Sequence, residues 1–327
     1  MEHYVSGFTS QLKEAIAIGK KATLSASNKQ ISNVVITGLG GSGIGGKIVS
    51  QLVLNNASLP VYVNNNYTIP GFVNENTLVI VSSYSGNTEE TINAMKLALE
   101  KNAEVACITS GGEVLELATQ HDLNTITIPG GNPPRTAFAY SFTQQFFLLQ
   151  HYGIIEAGFE ADLESAIDLL NQESESIKKK ALEVANKIFG KTAVIYTESS
   201  FEGVGVRLRQ QLNENAKVLC WHHALPEMNH NELVGWAGGD CSKAVIFMRN
   251  HSDYKRTQVR MELSKEIIGE YTDTIIEIFS LGNTAIEKTL YHIHLGDWVS
   301  VYLAKMNKVD PIEVNVIGHL KSELAKV

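Results

Sequence analysis

Leu78-Val79-Ile80-Val81-Ser82-Ser83-Tyr84-Ser85-Gly86-Asn87-Thr88-Glu89-Glu90 joins an apolar run to a hydroxyl-rich turn and then to an acidic helix start. The β-branched run reads as a buried strand, and beyond the turn Ile92, Met95 and Leu99 recur at i, i+3 and i+7, the spacing of one helix face. Strand, turn and helix follow each other without a spacer. Working outward, the same unit repeats. Val34-Val35-Ile36 is a strand that ends in the glycine-rich Gly38 to Gly46, and a helix follows to about Leu54. Val61-Tyr62-Val63, Val105 to Ile108 and Thr125 to Ile128 are further strands. Phe138, Phe142, Phe146 and Leu149 mark a helix whose aromatic stripe belongs to a core. Alternation of this kind implies an α/β fold with a mainly parallel sheet and helices on both faces.

The composition shifts at Tyr152 to Glu160, which contains Gly153 and Gly158, so two domains are expected, 1–153 and 154–327. At ~150 residues per domain, 327 residues also suggest two. The second half opens with a helix bearing Leu163, Ile167 and Leu170 on one face. Strands are expected near Ala193 to Tyr196, Val218 to Cys220, Ala244 to Phe247 and Thr274 to Ile278. A long helix through Tyr302 and a last one after Pro311 close the chain.

Composition narrows the function. Lys plus Arg total 27 against 35 Asp plus Glu, a net charge of −8. Phosphate neutralisation dominates nucleic-acid binding, and the longest basic run is Lys178-Lys179-Lys180, so no nucleic-acid partner is expected. No run approaches the ~18 apolar residues of a membrane span, and no basic start precedes an apolar run, so neither membrane nor export is expected. Cys107, Cys220 and Cys241 share no CxxC spacing, which favours reduced thiols in the cytoplasm.

Two glycine motifs fail on inspection. Gly38-Leu39-Gly40-Gly41-Ser42-Gly43 satisfies GxGxxG, but the second strand ends in Val63-Asn64-Asn65-Asn66, without the acid that holds a dinucleotide ribose. Gly41 to Lys47 fits GxxxxGK, but Ile48 replaces the hydroxyl that ligates Mg²⁺. What remains is a turn whose glycines let backbone N–H groups approach an anion or a substrate hydroxyl, with Ser42 among them.

The serine loop is more informative. Ser83, Ser85 and Thr88 crowd one helix N-terminus. Neutral donors and free N–H groups at the positive end of a helix dipole suit a dianionic phosphate without any lysine. Capping is the alternative use of such hydroxyls, but one cap needs one hydroxyl and here there are three.

Val79 to Thr91 resembles the serine loop of sugar-isomerase, or SIS, domains. The glycine run from Gly38 to Gly46, Pro133-Pro134-Arg135, Leu212-Asn213-Glu214-Asn215-Ala216-Lys217, Pro226-Glu227-Met228-Asn229-His230-Asn231-Glu232 and the Asp310-Pro311 tail resemble the bifunctional phosphoglucose/phosphomannose isomerase family over nearly the whole chain. The resemblance implies two SIS-type α/β sandwich domains, each with a mainly parallel central sheet flanked by helices. It implies interconversion of glucose 6-phosphate and fructose 6-phosphate, and of mannose 6-phosphate and fructose 6-phosphate. The proton transfer would pass through a cis-enediol without metal or cofactor. Other readings of a serine loop are a non-catalytic phosphosugar binder or an isomerase of another sugar phosphate.

Such a reaction needs a carboxylate base over two carbons, a cation near the enediolate and a group that opens the ring. Glu214, just after the helix containing Arg207 and Arg209 and flanked by two amides before a strand, is where the resemblance puts the base. It gives His230 the ring-opening role, reaching a neighbouring subunit's site in a homodimer. Arg135 follows two prolines that fix the chain, and the resemblance assigns it the enediolate. Lys321 matches a C-terminal active-site lysine. Gly41, Ser42, Ser83, Ser85 and Thr88 would bind the substrate, the last three its phosphate. Val314 stands where some members carry a small hydroxyl residue, a departure that bears on mannose 6-phosphate. His222, His223, His292 and His294 show no metal-ligand spacing and read as structural or loop histidines.

Overall fold

The computed structural model describes residues 1–326. Two compact units divide the chain: an N-terminal unit of Ser6–Asn171 with Gly282–Glu287, and a C-terminal unit of Met1–Val5 with Gln172–Leu281 and the chain from Lys288 onward. Residues 154–171 therefore pack with the N-terminal unit.

A short α1 (Glu2–Ser6) precedes α2 (Phe8–Lys21). In the N-terminal unit the apolar runs become β1 (Asn33–Thr37), β2 (Val61–Asn64), β3 (Thr77–Ser83), β4 (Glu104–Thr109) and β5 (Asn124–Thr127), all parallel in the order β2-β1-β3-β4-β5. Every residue of β3 is buried, as its unbroken apolar run requires when helices cover both faces. Between the strands lie α3 (Gly40–Leu52), α4 (Glu89–Glu100) and α5 (Gly112–Gln120), with α6 (Phe138–His151) and α7 (Phe159–Gln172) after them. Val79 and Val81 meet Ile92 and Met95 of α4 in one core cluster with Val105 and Cys107. The aromatic stripe of α6 is core: Phe138, Phe142 and Phe146 stand 5.0 and 5.2 Å apart, ring to ring.

Chain direction reverses between β1 and β3. From β1 the chain crosses to β2 on one side, then returns to β3 on the other, leaving a crevice beyond the carboxyl ends of β1 and β3. Ligands of open parallel sheets bind at such a switch point. The glycine run leaves β1 there, and the serine loop leaves β3 there.

The C-terminal unit is also α/β. It holds α8 (Ser174–Ile188), β6 (Thr192–Glu198), α9 (Glu202–Ala216), β7 (Trp221–Leu225), α10 (Glu232–Gly235), β8 (Lys243–Arg249), α11 (Lys255–Ile268) and β9 (Ile275–Phe279). It continues with α12 (Ala285–Asn307), which joins this unit from Lys288, and α13 (Asn315–Leu324). Its four strands are parallel in the order β7-β6-β8-β9. Both regions are thus parallel sheets with flanking helices, the expected fold class.

One strand differs from expectation. Val218 to Cys220 is not the strand; β7 begins at Trp221. Lys217 turns the chain left-handed at φ 58°, and Leu219 is 89% exposed. Because β7 is an edge strand, only Ala224 and Leu225 at its end are buried, and its start is as polar as a loop. The three cysteines are free, and burial pushes the Cys107 thiol up to about 12. No helix among the described residues is long and apolar enough to cross a membrane.

His292 and His294 lie buried on α12, where loss of hydration lowers each imidazole from 6.5 to about 4. Both stay neutral in the folded chain, whereas the unfolded chain protonates them below about 6.5. Their contribution is therefore complete above pH ~6.5 and is lost as pH falls toward ~4, on the order of 3 kcal/mol each. Thermal melts from pH 7 to 4.5 should show a falling midpoint, and His292→Gln should flatten the slope.

Candidate active site

The two loops at the switch point are fastened to each other. Ser42 lies in the first turn of α3, 6% exposed, and its Oγ accepts a hydrogen bond from the Tyr84 backbone N–H at 3.2 Å. A Cβ on Gly41 would lie 3.1 Å from the Pro134 carbonyl oxygen and 3.6 Å from the Arg135 Cα. Glycine here is a condition of close approach between α3 and the proline–arginine turn. Gly41, Ser42, the serine loop and Arg135 thus meet at one place, although they are distant in sequence.

The serine loop is shaped by glycine and by its own hydroxyls. Gly86 has φ +69°, and a Cβ there would fall 1.7 Å from the Gly111 carbonyl oxygen. Ser85 Oγ accepts from the Asn87 N–H at 3.2 Å, and Ser83 Oγ donates to Thr88 Oγ1 at 3.4 Å. Thr88 is the N-cap residue of α4, yet its side chain makes no capping bond. The first turn of α4 is therefore not closed by the local hydroxyl that capping would use. Ser83 is buried, Thr88 half-buried and Ser85 exposed, a gradient from floor to rim. Glu89 and Glu90 complement the dipole in the first turn, and the Glu89 carboxylate accepts from Tyr67 OH at 3.4 Å.

Tyr84 is the residue that the sequence reading passed over. Its OH accepts from the Asn132 N–H at 3.0 Å, and its carbonyl accepts from Ser110 Oγ at 2.7 Å. It thereby joins the serine loop to the segment leading into Pro133-Pro134-Arg135. Its position between two serines was the one available signal. Arg135 itself is 5% exposed, within a short 3₁₀ turn (Pro134–Thr136), and is not a surface arginine.

The other three candidates stand on separate elements of the C-terminal unit. Glu214, expected just after a helix, lies in the last turn of α9. That helix is clamped to α12: Arg207 and Gln211 both donate to Asp297 at 2.8 Å, and Asn215 donates to Ser300 Oγ at 2.9 Å. Residues 207, 211 and 215 recur at i, i+4 and i+8, so one face of α9 is fixed and Glu214 lies beside it. His230 ends a short 3₁₀ turn (Glu227–His230) and is exposed. Its segment is anchored by Glu232, which accepts from Tyr196 OH at 2.5 Å, Trp221 Nε1 at 2.9 Å and the His223 ring at 2.8 Å. Lys321 is exposed on α13.

The fold is thus a doubly wound α/β domain with two loops fastened together at its switch point. Residues 29–154 match the SIS domain, and residues 177–324 match the bacterial phospho-glucose isomerase C-terminal SIS domain. The bifunctional phosphoglucose/phosphomannose isomerase of Caldicellulosiruptor bescii is 36% identical over 97% of this chain and 96% of its own length. The protein of the same name from Thermoplasma acidophilum is 37% identical over 90% of each chain. The structure of the C-terminal domain of glucosamine-fructose-6-phosphate aminotransferase from Francisella tularensis shares the fold, with TM-score 0.75 at 13% identity, covering 96% of this chain and 99% of that one. The chain belongs to the bifunctional phosphoglucose/phosphomannose isomerase family, whose members are sugar-phosphate isomerases.

Gly86→Ala combines a left-handed backbone with a direct collision. It should cost at least ~2 kcal/mol of stability, more than either effect alone. Urea unfolding of the parent and the variant measures this.

Proposed function

We propose that this chain interconverts glucose 6-phosphate and fructose 6-phosphate, and mannose 6-phosphate and fructose 6-phosphate, by metal-independent proton transfer. The observation that carries the reading is the start of α4. Three hydroxyls gather at a helix N-terminus and the N-cap side chain leaves it uncapped, an arrangement suited to a phosphate dianion. Family membership supplies the reaction class.

In this reading Ser83, Ser85 and Thr88 hold the phosphate, and Gly41 and Ser42 meet the sugar. His230 opens the ring. Glu214 takes the proton from C2 of the aldose; the electron pair of that C–H bond forms the C1–C2 double bond while the C1 carbonyl π pair moves onto O1, which takes up a proton, giving the cis-enediol. O2 then gives up its hydroxyl proton, balancing the one gained at O1, and as the C2 carbonyl forms the C1–C2 pair takes the proton back from Glu214 at C1. Arg135 stabilises the negative charge on the enediolate oxygens, where a buried guanidinium acts strongly. Lys321 adds a second cation. The working division gives phosphosugar binding and Arg135 to the N-terminal unit, and Glu214, His230 and Lys321 to the C-terminal unit. The exposed His230 supports a homodimer in which it serves the neighbouring site, and the free cysteines support a cytoplasmic setting.

Glu214→Gln keeps the shape and removes the proton acceptor, so kcat should fall by ~10²–10⁴ while sugar-phosphate binding persists. Near-normal turnover would sink the assignment.

The double variant Ser83→Ala with Ser85→Ala loses two hydrogen bonds to a charged group. The Michaelis constant should rise at least roughly tenfold, and inorganic phosphate should no longer raise the thermal midpoint. A folded double variant still protected by phosphate contradicts the phosphate site.

A further inference from the structure

Within Leu212 to Lys217 the reaction uses Glu214 and the clamp uses Asn215, but neither accounts for Lys217. Lys217 follows α9 at φ 58° and ψ 39°, in the left-handed region. Helices that end this way usually do so with glycine or asparagine. A lysine here contributes an ammonium, and its placement is specific. Nζ donates to the Glu214 carbonyl oxygen at 2.6 Å and to the Glu313 carbonyl oxygen at 2.6 Å.

The first bond is ordinary for a helix end. The last carbonyls lack partners within the helix and carry the negative end of its dipole, so a cation is favoured there. The second bond is not local, since Glu313 lies 96 residues further along the chain. Glu313 stands just before α13, and α13 buries none of its residues. Val316 is 80% exposed and Leu320 58%, so packing does little to fix this helix on its own chain. Asn307, at the end of α12, donates to the Ala216 carbonyl at 2.9 Å. The end of α9 is therefore a junction: the end of α12 bonds its backbone at Ala216, and the Lys217 ammonium bridges the Glu214 carbonyl and the start of the tail.

We infer that Lys217 is a positioning residue whose ammonium ties the Lys321-bearing tail to the turn of α9 that bears Glu214. The tie rests on the two hydrogen bonds. Its consequence for turnover rests on the roles proposed above for Glu214 and Lys321. Holding the root of α13 against the end of α9 fixes where Lys321 stands relative to the base, without Lys217 touching substrate.

Lys217→Gly tests this. Glycine accepts the left-handed turn, so the fold is not endangered, and only the ammonium is lost. Amide hydrogen exchange across 313–324 should quicken about tenfold or more. The kcat for fructose 6-phosphate should fall about tenfold with KM within about twofold, because the phosphate loops are elsewhere. The thermal midpoint should hold. Lys217→Arg keeps the donors and should restore most of both effects. Unchanged exchange over 313–324 overturns the tie, and faster exchange with undiminished kcat overturns the positioning role. Lys321→Ala separates this from the underlying reading. Parental turnover in that variant removes Lys321 from catalysis, whereas the exchange result still decides the tie.

Discussion

Two backbone loops leave the carboxyl ends of adjacent parallel strands and approach more closely than most side chains allow. The Ser42 hydroxyl accepts the Tyr84 N–H, Gly41 sits against the Pro134 carbonyl, and Gly86 sits against that of Gly111. The approach follows from the strand order, because the chain reverses direction between β1 and β3 and both loops must exit at the same crevice. A side chain at Gly38, whose Cβ would lie 2.6 Å from the Ser82 carbonyl oxygen, would separate the two loops, and side chains at Gly41 or Gly86 would push the glycine turn off Pro134 or the serine loop off Gly111. The first turn of α4, Ser42 and Arg135 would then no longer share one place.

The C-terminal unit fixes the rotation of α9, the helix that carries Glu214. It does so with a buried charge pair. Burial raises the Asp297 carboxyl above its usual range, and the neighbouring Arg207 opposes that shift. A buried pair of this kind is a weak source of net stability, but removing one member leaves an uncompensated charge. Its contribution here is geometric. Arg207, Gln211 and Asn215 fix the rotation of α9 about its own axis, and the position of Glu214 follows from that rotation. Glu232 plays the corresponding part for His230, tying an otherwise exposed segment to Tyr196, Trp221 and His223.

Legibility in the sequence followed the range of the forces involved. The strand through Val79 and Val81 and the helix through Ile92 and Met95 were readable because their periodicity is local and burial follows from it. Strand β7 was not. Whether an apolar triplet pairs depends on partners elsewhere in the sheet, and at an edge the polar Trp221-His222-His223 run serves as well as Val218-Leu219-Cys220. Glu214 is expected just after the helix of Arg207 and Arg209, but that helix runs on to Ala216. In the structure Asn213 bonds the Val218 carbonyl and Asn215 bonds Ser300, contacts made outside the helix ladder.

By itself the sequence determined the α/β class, the two glycine and serine turns and the residue types available for chemistry, since each rests on short-range spacing. Only the tertiary structure decided that the Thr88 side chain leaves α4 uncapped, that Arg135 is buried, that Tyr84 joins the serine loop to the Asn132 segment and that Lys217 reaches the tail. Each of these depends on which distant backbone groups arrive within hydrogen-bonding distance. That is fixed by strand order and helix packing, and no local pattern encodes it.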